Sequence, residues 1–179
     1  IERAVGAEPS RDLELYAATL RSKTGDFAGA VSYLEGLLEQ EPGADDVLYN
    51  LGVVYSEDDR DEEAMDYMQR ALEQNPENAS ALNFIGYTWA DRGERLDEAQ
   101  EMIERALALR PDDGYIVDSL GWVYYQRARA ADGAEAREWA RRALRELERA
   151  SELTGGDPVI AEHRGDVHRL LGERRRALE

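Results

Sequence analysis

The 179-residue sequence predicts an all-α protein, a solenoid of antiparallel helical hairpins. The first observation is a period of 34 or 35 residues, which separates Gly52 from Gly86 and Gly86 from Gly121. The second is the same period between prolines, at Pro42, Pro76 and Pro111. The third is a composition dominated by alanine, leucine, glutamate and arginine, which favour helices. A fixed period of this length is typical of repeat proteins in which each unit packs on its neighbours.

Each repeat reads as two helices joined by a tight turn. The first helix places apolar residues around the glycine, as in LYNLGVVY at Gly52 and LNFIGYTW at Gly86. The second helix carries an alanine and ends before the proline, which cannot continue a helix. We expect these small residues where helices of neighbouring hairpins cross, because axes about 8–10 Å apart leave little room for side chains. The large residues expected to fill the space between units are Tyr55, Trp89 and Tyr124.

This register predicts the bounds of every helix. The first helices of the hairpins are predicted at 11–24, 44–58, 78–92, 113–130 and 158–171, and the second helices at 27–40, 61–75, 96–109 and 134–154. Gly25, Gly93 and Gly172 are expected to end first helices in the left-handed conformation that glycine tolerates. Asp59 takes the same place in its unit.

The chain is predicted to be one solenoid over residues 1–179, and we expect it to be an interior piece of a longer array. Its predicted parts are the end of a preceding repeat (1–10), repeats at 11–43, 44–78, 79–113 and 114–157, and an incomplete repeat (158–179). About ten residues are inserted near 129–138. Two interpretations stay open: a longer turn without a function, or protruding helices that dock a partner.

The repeat resembles the tetratricopeptide repeat (TPR), with its W-x2-L-G-x2-Y pattern, a later alanine and a closing proline. The resemblance implies a right-handed superhelix whose first helices line a concave groove. Side chains one place after each marked glycine, and three or six places before it, would then face the groove. The groove positions are Asp46, Tyr49, Val53, Ser80, Asn83, Tyr87, Tyr115, Asp118 and Trp122, with Ser56, Ala90 and Tyr125 one turn further along.

Aromatic residues and acids dominate this predicted groove. Tyrosine and tryptophan are frequent binding hot spots, although some of these rings could instead belong to the core between helices. The net charge is −17, and residues 35–104 hold 20 Asp and Glu against four Arg and no Lys. We therefore expect a basic peptide or protein partner with hydrophobic anchors and no nucleic acid, unless the acids serve only solubility. Asn50 has no inward Lys or Arg beside it, which argues against a clamp for a peptide's terminal carboxylate.

No residue pattern in the chain predicts catalysis, a cofactor or a metal site. Cysteine is absent, and no nucleophile or phosphate-binding motif occurs. The acidic run at 57–63 lacks the central glycine of a calcium loop and fits a helix N-terminus, where negative charge is favourable. His163 and His168 are five residues apart, so they point to different faces, which indicates a structural or surface role. No apolar run is long enough to span a membrane in this fragment.

The stretch NFIGYTWADRGERLDEAQEMIERALALRPDDGYIVDSLGWVYY, followed by DPVIAEHRGDVHRLLGE, is similar to one bacterial group in particular. These are envelope TPR lipoproteins that scaffold a carboxyl-terminal processing protease with its substrates. The similarity implies an adaptor on the periplasmic side of the cell envelope, with a cytoplasmic location as the alternative. The second hypothesis is a non-catalytic, substrate-selecting TPR arm of a larger enzyme such as a glycosyltransferase.

Overall fold

The computed structural model describes residues 10–178, and this part of the chain is all-α, with no β-strand. The helices are α1 (Arg11–Lys23), α2 (Phe27–Gln40), α3 (Asp45–Glu57), α4 (Asp61–Gln74), α5 (Ala79–Asp91), α6 (Leu96–Leu109), α7 (Gly114–Ala130), α8 (Gly133–Thr154) and α9 (Pro158–Leu170), followed by a short 3-10 helix at Arg176–Leu178. Every predicted helix exists, and its bounds agree with the prediction to within one residue. The expected α-solenoid of helical hairpins is confirmed.

The helices form two compact units, and the chain passes from the first to the second between Asn78 and Ala79. The first unit contains the hairpins α1–α2 and α3–α4. The second contains α5–α6, α7–α8 and α9 with the short helix that follows it. This boundary is the one that the sequence predicts between the repeats at 44–78 and 79–113. The preceding repeat end at 1–10 lies almost entirely outside the described residues, and the single continuous solenoid stays a prediction.

The marked glycines allow the two helices of one hairpin to touch. A Cβ at Gly86 would lie 2.7 Å from Cγ1 of Ile103 and 2.9 Å from the backbone oxygen of Ala99, both on α6. At Gly52 it would lie 2.7 Å from Met68 and 3.1 Å from the backbone oxygen of Ala64. The expectation that this crossing joins neighbouring hairpins was therefore wrong. The glycine and the alanine face each other within a single hairpin, where the tight turn forces the closest approach.

The turns confirm the predicted left-handed residues. Gly25, Gly93 and Gly172 have φ values of 85°, 69° and 76°. Asp59 takes the same conformation with φ 58°, which a short polar side chain tolerates better than most. The extra residue in the third hairpin is accommodated by a second left-handed residue, Arg95, with φ 47° at the start of α6.

The insertion near 129–138 lengthens both helices of its hairpin. Helix α7 has 17 residues, where α3 and α5 have 13, and α8 has 22 residues, where α4 and α6 have 14. The connection between α7 and α8 is only two residues long, and Gly133 has φ 60°. The added residues therefore form a protruding helical tip and not a long loop.

Tyr55 packs against the preceding hairpin, as predicted, whereas the ring contacts of Tyr124 and Trp89 lie within their own hairpins. In the first unit Tyr55 lies edge-on to Phe27 of the preceding hairpin, with ring centroids 5.5 Å apart, and stacks on Tyr67 at 5.2 Å. In the second unit Tyr124 packs against Trp139 at 5.5 Å. Trp89 is half-buried, and the guanidinium of Arg95 lies 3.9 Å from its ring centroid.

Helix α9 makes a close contact with the segment that follows it. A Cβ at Gly165 of α9 would lie 3.3 Å from the backbone oxygen of Ala177, so these two residues reproduce the glycine–alanine crossing of the other hairpins. Among the described helices, none combines the length and the hydrophobicity that crossing a lipid bilayer requires.

Candidate functional site

Three of the predicted groove positions of the second unit meet two further residues in one group of side chains, the aromatic–carboxylate cluster. It consists of Tyr87 and Asp91 on α5, Asp118 and Trp122 on α7, and His163 on α9. Residues four apart on a helix lie on the same face, which places each pair on one side of its helix. The cluster therefore joins three successive first helices within the unit.

Trp122 lies at the centre of this cluster and is 8% exposed. Its indole Nε1 donates a hydrogen bond to Asp91 Oδ1 at 3.0 Å. Its ring stacks on His163, with ring centroids 4.2 Å apart. The ring centroid of Tyr125, three residues further along α7, lies 4.7 Å from that of Trp122. The polar atom and the ring of Trp122 are thus both satisfied inside the protein.

Asp118 and His163 form a buried pair that links α7 to α9. His163 donates from Nδ1 to the Asp118 carboxylate, at 2.9 Å from Oδ1 and 3.1 Å from Oδ2. The two residues are 7% and 8% exposed. Each group supplies the partner that the other requires when it is removed from water. His163 therefore has the structural role that the sequence analysis favoured, as the buried hydrogen-bond partner of Asp118.

Tyr87 is a half-buried residue of the cluster. Burial, followed by the negative charges of Asp91 and Asp118, raises the pKa of Tyr87 to about 12. The phenol therefore stays neutral over the whole physiological pH range, and its hydroxyl can donate a hydrogen bond to a ligand.

The other predicted groove residues of the second unit differ in accessibility. Tyr115 is 61% exposed, and its hydroxyl donates to Asp157 Oδ2 at 3.4 Å. Tyr125 is half-buried, with the guanidinium of Arg129 5.8 Å from its ring centroid. Asn83 is also half-buried, and its buried Oδ1 has no hydrogen-bond partner within residues 10–178. Tyr115 and Tyr125 thus offer ring surface to a ligand.

The structure differs from the expected groove at two positions. Ala90 is fully buried, so it does not face a groove. Trp122 was expected as an open anchor, but the neighbouring first helices cover its ring. The reason is that α9 supplies the imidazole of His163 at stacking distance from Trp122. The two residues are 41 positions apart in the sequence, so spacing within one helix cannot reveal their contact.

The groove positions of the first unit lie on α3 and are half-buried. They are Asp46, Tyr49, Val53 and Ser56. Asp46 Oδ1 accepts a hydrogen bond from the backbone nitrogen of Val47 at 2.8 Å, and its other oxygen lies 3.5 Å from Nε of Arg11. The side-chain nitrogen of Asn50 donates to the backbone oxygen of Asp46 at 2.8 Å. These two polar groups therefore help to order the start of α3.

The sequence analysis did not select four residues of α5 and α9 that a contact or the repeat spacing assigns to these faces. Asp91 could have been found because it lies four residues after Tyr87. The spacing used for the other helices, applied to Gly165, selects three further residues of α9. They are Val159, which is 56% exposed, Glu162, which is exposed, and Asp166, which is half-buried.

Part of the chain is similar in sequence to a known repeat family. The family model of the tetratricopeptide repeat matches residues 23–86. Similar sequences include the photosystem I assembly protein Ycf3 of Prochlorococcus marinus, 35% identical over 75 residues, which are 40% of this chain and 43% of that protein. The same-named protein of Rippkaea orientalis is 34% identical over 74 residues, again 40% of this chain and 43% of the relative. The chain thus spans less than half the length of the curated relatives it matches.

Solved structures with the same fold cover most of the chain. Pseudomonas aeruginosa pilF has a TM-score of 0.72 and 22% identity, over 94% of this chain and 72% of that one. A thermophilic TPR protein of Thermus thermophilus has a TM-score of 0.71 and 16% identity, over 94% and 87%. MamA of Desulfovibrio magneticus RS-1 has a TM-score of 0.67 and 17% identity, over 93% and 88%. At these identities the similarity shows the fold alone.

Proposed function

We propose that this chain is a non-catalytic protein-interaction scaffold that binds a peptide or protein partner along the first helices of its hairpins. The observation that carries the proposal is the face formed by α5, α7 and α9, where Tyr87, Tyr115 and Tyr125 accompany carboxylates. Accessible tyrosine rings provide large contact areas at a small entropic cost. The TPR fold itself supports a scaffold role, since stacked hairpins present extended surfaces to partners.

The partner carries positive charge and hydrophobic anchors. Asp91 and Glu162 are exposed on the proposed face, next to the aromatic residues. The net charge of −17 attracts a basic segment over longer distances, and salt weakens this attraction. The apolar side chains of the partner then pack on the tyrosine rings and on Val159, which is 56% exposed.

Trp122 contributes to binding indirectly, by positioning residues that contact the partner. Its ring is covered by its neighbours, and its bond to Asp91 holds that carboxylate at the end of α5. Replacing Trp122 would therefore lower the affinity for a partner because Asp91 and Tyr125 would be displaced, although Trp122 itself makes no direct contact with the partner.

The proposal can be tested with three fluorescein-labelled dodecapeptides: one that alternates lysine and leucine, one that alternates glutamate and leucine, and one that alternates lysine and serine. Fluorescence anisotropy should show binding of the lysine–leucine peptide alone, with an affinity that falls as salt is added. Tyr115→Ala should lower the affinity for that peptide about tenfold or more, as expected for a hot-spot aromatic residue. Equal binding of the glutamate–leucine peptide would contradict the proposal.

A matched control is available on a second helix. Leu109 at the end of α6 is 41% exposed and lies outside the proposed face, so Leu109→Ala removes an exposed apolar side chain without touching it. This variant should bind the lysine–leucine peptide as the parent protein does. If Leu109→Ala and Tyr115→Ala weakened the peptide equally, the face of α5, α7 and α9 would not be the binding surface.

The more specific form of the proposal is an adaptor for an envelope protease, and it rests on the similarity of residues 83–125 and 157–173 to envelope TPR lipoproteins. The name of Ycf3 describes an assembly protein, which is consistent with a scaffold that brings other proteins together. The alternative is a substrate-selecting arm of a larger enzyme such as a glycosyltransferase. Affinity capture with the full-length gene product distinguishes them, because the adaptor recovers a separate protease and the arm carries its catalytic domain in the same chain.

A further inference from the structure

Helix α1 carries a row of apolar side chains that no other helix covers among residues 10–178. Leu13, Tyr16 and Leu20 lie on one side of the helix, at spacings of three and four residues, and are 55%, 64% and 50% exposed. Ala18, on the opposite side, is buried and belongs to the core together with Ala30 of α2. Three large apolar side chains in one row are typical of a helix that packs against another helix.

The equivalent positions of other first helices are covered. Ala18 takes in α1 the place of Gly52 in α3, 34 positions later. Leu13 and Leu20 therefore have counterparts five places before and two places after the marked glycines of α3 and α9. These counterparts are Val47 and Val54 in α3, and Ile160 and Val167 in α9. All four are between 0% and 2% exposed, in core clusters that include residues of the preceding second helices, α2 and α8.

Charged residues of opposite sign lie at the two ends of the row on α1. Asp12 precedes Leu13 at the start of the helix, and Lys23 lies on the same flank of the row, about three turns later. Both side chains are exposed, and within residues 10–178 neither has an ion-pair partner. The equivalent residues of α3, Asp46 and Glu57, are both acidic. The change of sign along the helix is therefore a feature of α1 and not of the repeat.

The other flank of the row has the same order of charges. Glu14 lies near the start of α1 and Arg21 near its end. Each also has a contact nearby, Glu14 with Arg11 at 3.6 Å and Arg21 with the ring centroid of Tyr33 at 4.6 Å. Arg11 itself is directed away from the row and pairs with Glu41. Both flanks thus begin with an acid and end with a base.

We propose that α1 pairs with α1 of a second copy of this chain, in an antiparallel arrangement across the apolar row. The acidic start of each helix then lies opposite the basic end of the other, and the two helix dipoles are also opposed. A parallel arrangement would place acid against acid and base against base. The partner is a second copy because the row, with its flanking charges, is complementary to itself. This dimer surface is separate from the face of α5, α7 and α9 and does not depend on it.

The spacing along α1 fits a single two-fold axis. Asp12 and Lys23 are equally distant from the midpoint between positions 17 and 18, so two identical ion pairs form around it. Around the same axis, to within one residue, Leu13 of each copy meets Leu20 of the other. Ala17 lies next to the axis, where a small side chain allows the two helices to approach closely.

The size of the contact predicts a weak dimer. Helix α1 has 13 residues, which corresponds to a length of about 20 Å. Two such helices bury less surface than the roughly 1,200 Å² at which stable interfaces begin. We therefore expect a dissociation constant of about 10–100 µM.

Sedimentation equilibrium tests whether the dimer forms and where. The mass of one chain is 20.2 kDa, and the average mass should rise from one chain towards two between about 1 and 500 µM protein. Leu20→Gln should raise the dissociation constant about tenfold, because the apolar contact is lost in both halves of the interface. Leu153→Gln, at a 41% exposed leucine of α8, is the matched control and should leave it unchanged. A single-chain mass at every concentration, or equal effects of the two substitutions, would overturn the proposal.

Charge reversal tests the orientation of the two helices. Asp12→Lys and Lys23→Glu should each raise the dissociation constant about fivefold, because like charges then face each other at both ends of the contact. The double variant exchanges the two charges, becomes complementary to itself again and should regain the parent value. Circular dichroism verifies that each variant is folded. Single and double variants that dimerise equally well would contradict an antiparallel pair.

Chemical crosslinking gives an independent measure of the same orientation. Lys23 is the only lysine of the chain, and a carbodiimide joins its amine to a carboxylate that lies in contact with it. Asp12 and Lys23 of one helix are separated by about 16 Å, so a link between them forms only across two copies. Mass spectrometry of the covalent dimer should identify this link, and Asp12→Asn should remove it. A covalent dimer linked only through residues outside α1 would reject the proposed surface.

Discussion

The indole Nε1 of Trp122 donates a hydrogen bond to Asp91 Oδ1 at 3.0 Å and thereby joins the middle of α7 to the end of α5. The two residues are 31 positions apart in the sequence. Because the donor is nearly buried and the acceptor is charged, this bond should contribute more than an exposed polar contact.

The first prediction concerns this bond. Asp91→Ala should lower the free energy of unfolding by about 1–2 kcal/mol, because the buried indole nitrogen loses its acceptor. In a double-mutant cycle with Trp122→Phe, urea denaturation should give a coupling energy of about 1 kcal/mol. Glu101→Ala, at an exposed position of α6, is the control and should change little. A coupling energy near zero would show that the bond does not stabilise the unit.

The second prediction concerns the Asp118–His163 pair. His163→Phe should cost about 3 kcal/mol, because it leaves the Asp118 carboxylate buried without a partner. Adding Asp118→Leu should restore part of the loss, since the double variant buries no lone charge. Differential scanning calorimetry measures both effects. Glu162→Ala at the exposed neighbouring position is the control, and a double variant less stable than His163→Phe alone would contradict this account.

The third prediction uses two glycines in helix interiors. Gly86→Ala should destabilise the protein by about 1–3 kcal/mol, because its Cβ would meet the rigid backbone oxygen of Ala99. The distance from this Cβ to that oxygen is 2.9 Å. Gly36→Ala in α2 meets nothing within 4 Å. It should stabilise by about 0.5–1 kcal/mol through helix propensity alone.

Urea denaturation followed by circular dichroism gives both values. Both substitutions add the same methyl group to a helix, so the two changes in the free energy of unfolding can be compared directly. A loss at Gly86 reports the close packing of its helix, and a gain at Gly36 reports the reduced flexibility of the backbone. If Gly86→Ala were as stable as Gly36→Ala, the close approach of α5 and α6 would not require glycine.

The fourth prediction concerns alkaline pH. The pKa of Tyr87 is raised to about 12 in the folded protein by burial and by Asp91 and Asp118. In the unfolded chain a tyrosine titrates at about 10, so the unfolded state loses its proton first as pH rises. The stabilising effect of Tyr87 is therefore complete below pH of about 10 and is lost progressively up to about 12.

Spectrophotometric titration of tyrosine ionisation measures this shift. The difference between the parent protein and Tyr87→Phe should show one phenol that ionises near pH 12. Tyr115→Phe, at a residue that is 61% exposed, is the control for the difference spectrum. A difference spectrum for Tyr87→Phe with a midpoint near the ordinary value of about 10 would contradict the account of its environment.

The sequence alone determined the fold class, the helix bounds and the turns. Glycine and alanine at a fixed period report how closely two helices of a hairpin approach, and a left-handed turn requires glycine or a residue such as Asp59. These constraints act over short stretches of chain, so they can be read from spacing. The groove positions were implied by the resemblance to the TPR and stay a prediction, although three of them, Tyr87, Asp118 and Trp122, belong to one cluster.

Only the tertiary structure decided which of these side chains are accessible and what they contact. The stacking of Trp122 on His163 and the pair between Asp118 and His163 depend on how α9 lies against α7, across an inserted segment whose length the repeat period does not predict. The contact of the lengthened hairpin with α9 has the same origin, because the inserted residues form helix. Local spacing specifies each hairpin, whereas the contacts between hairpins arise from packing of surfaces that are distant in the sequence.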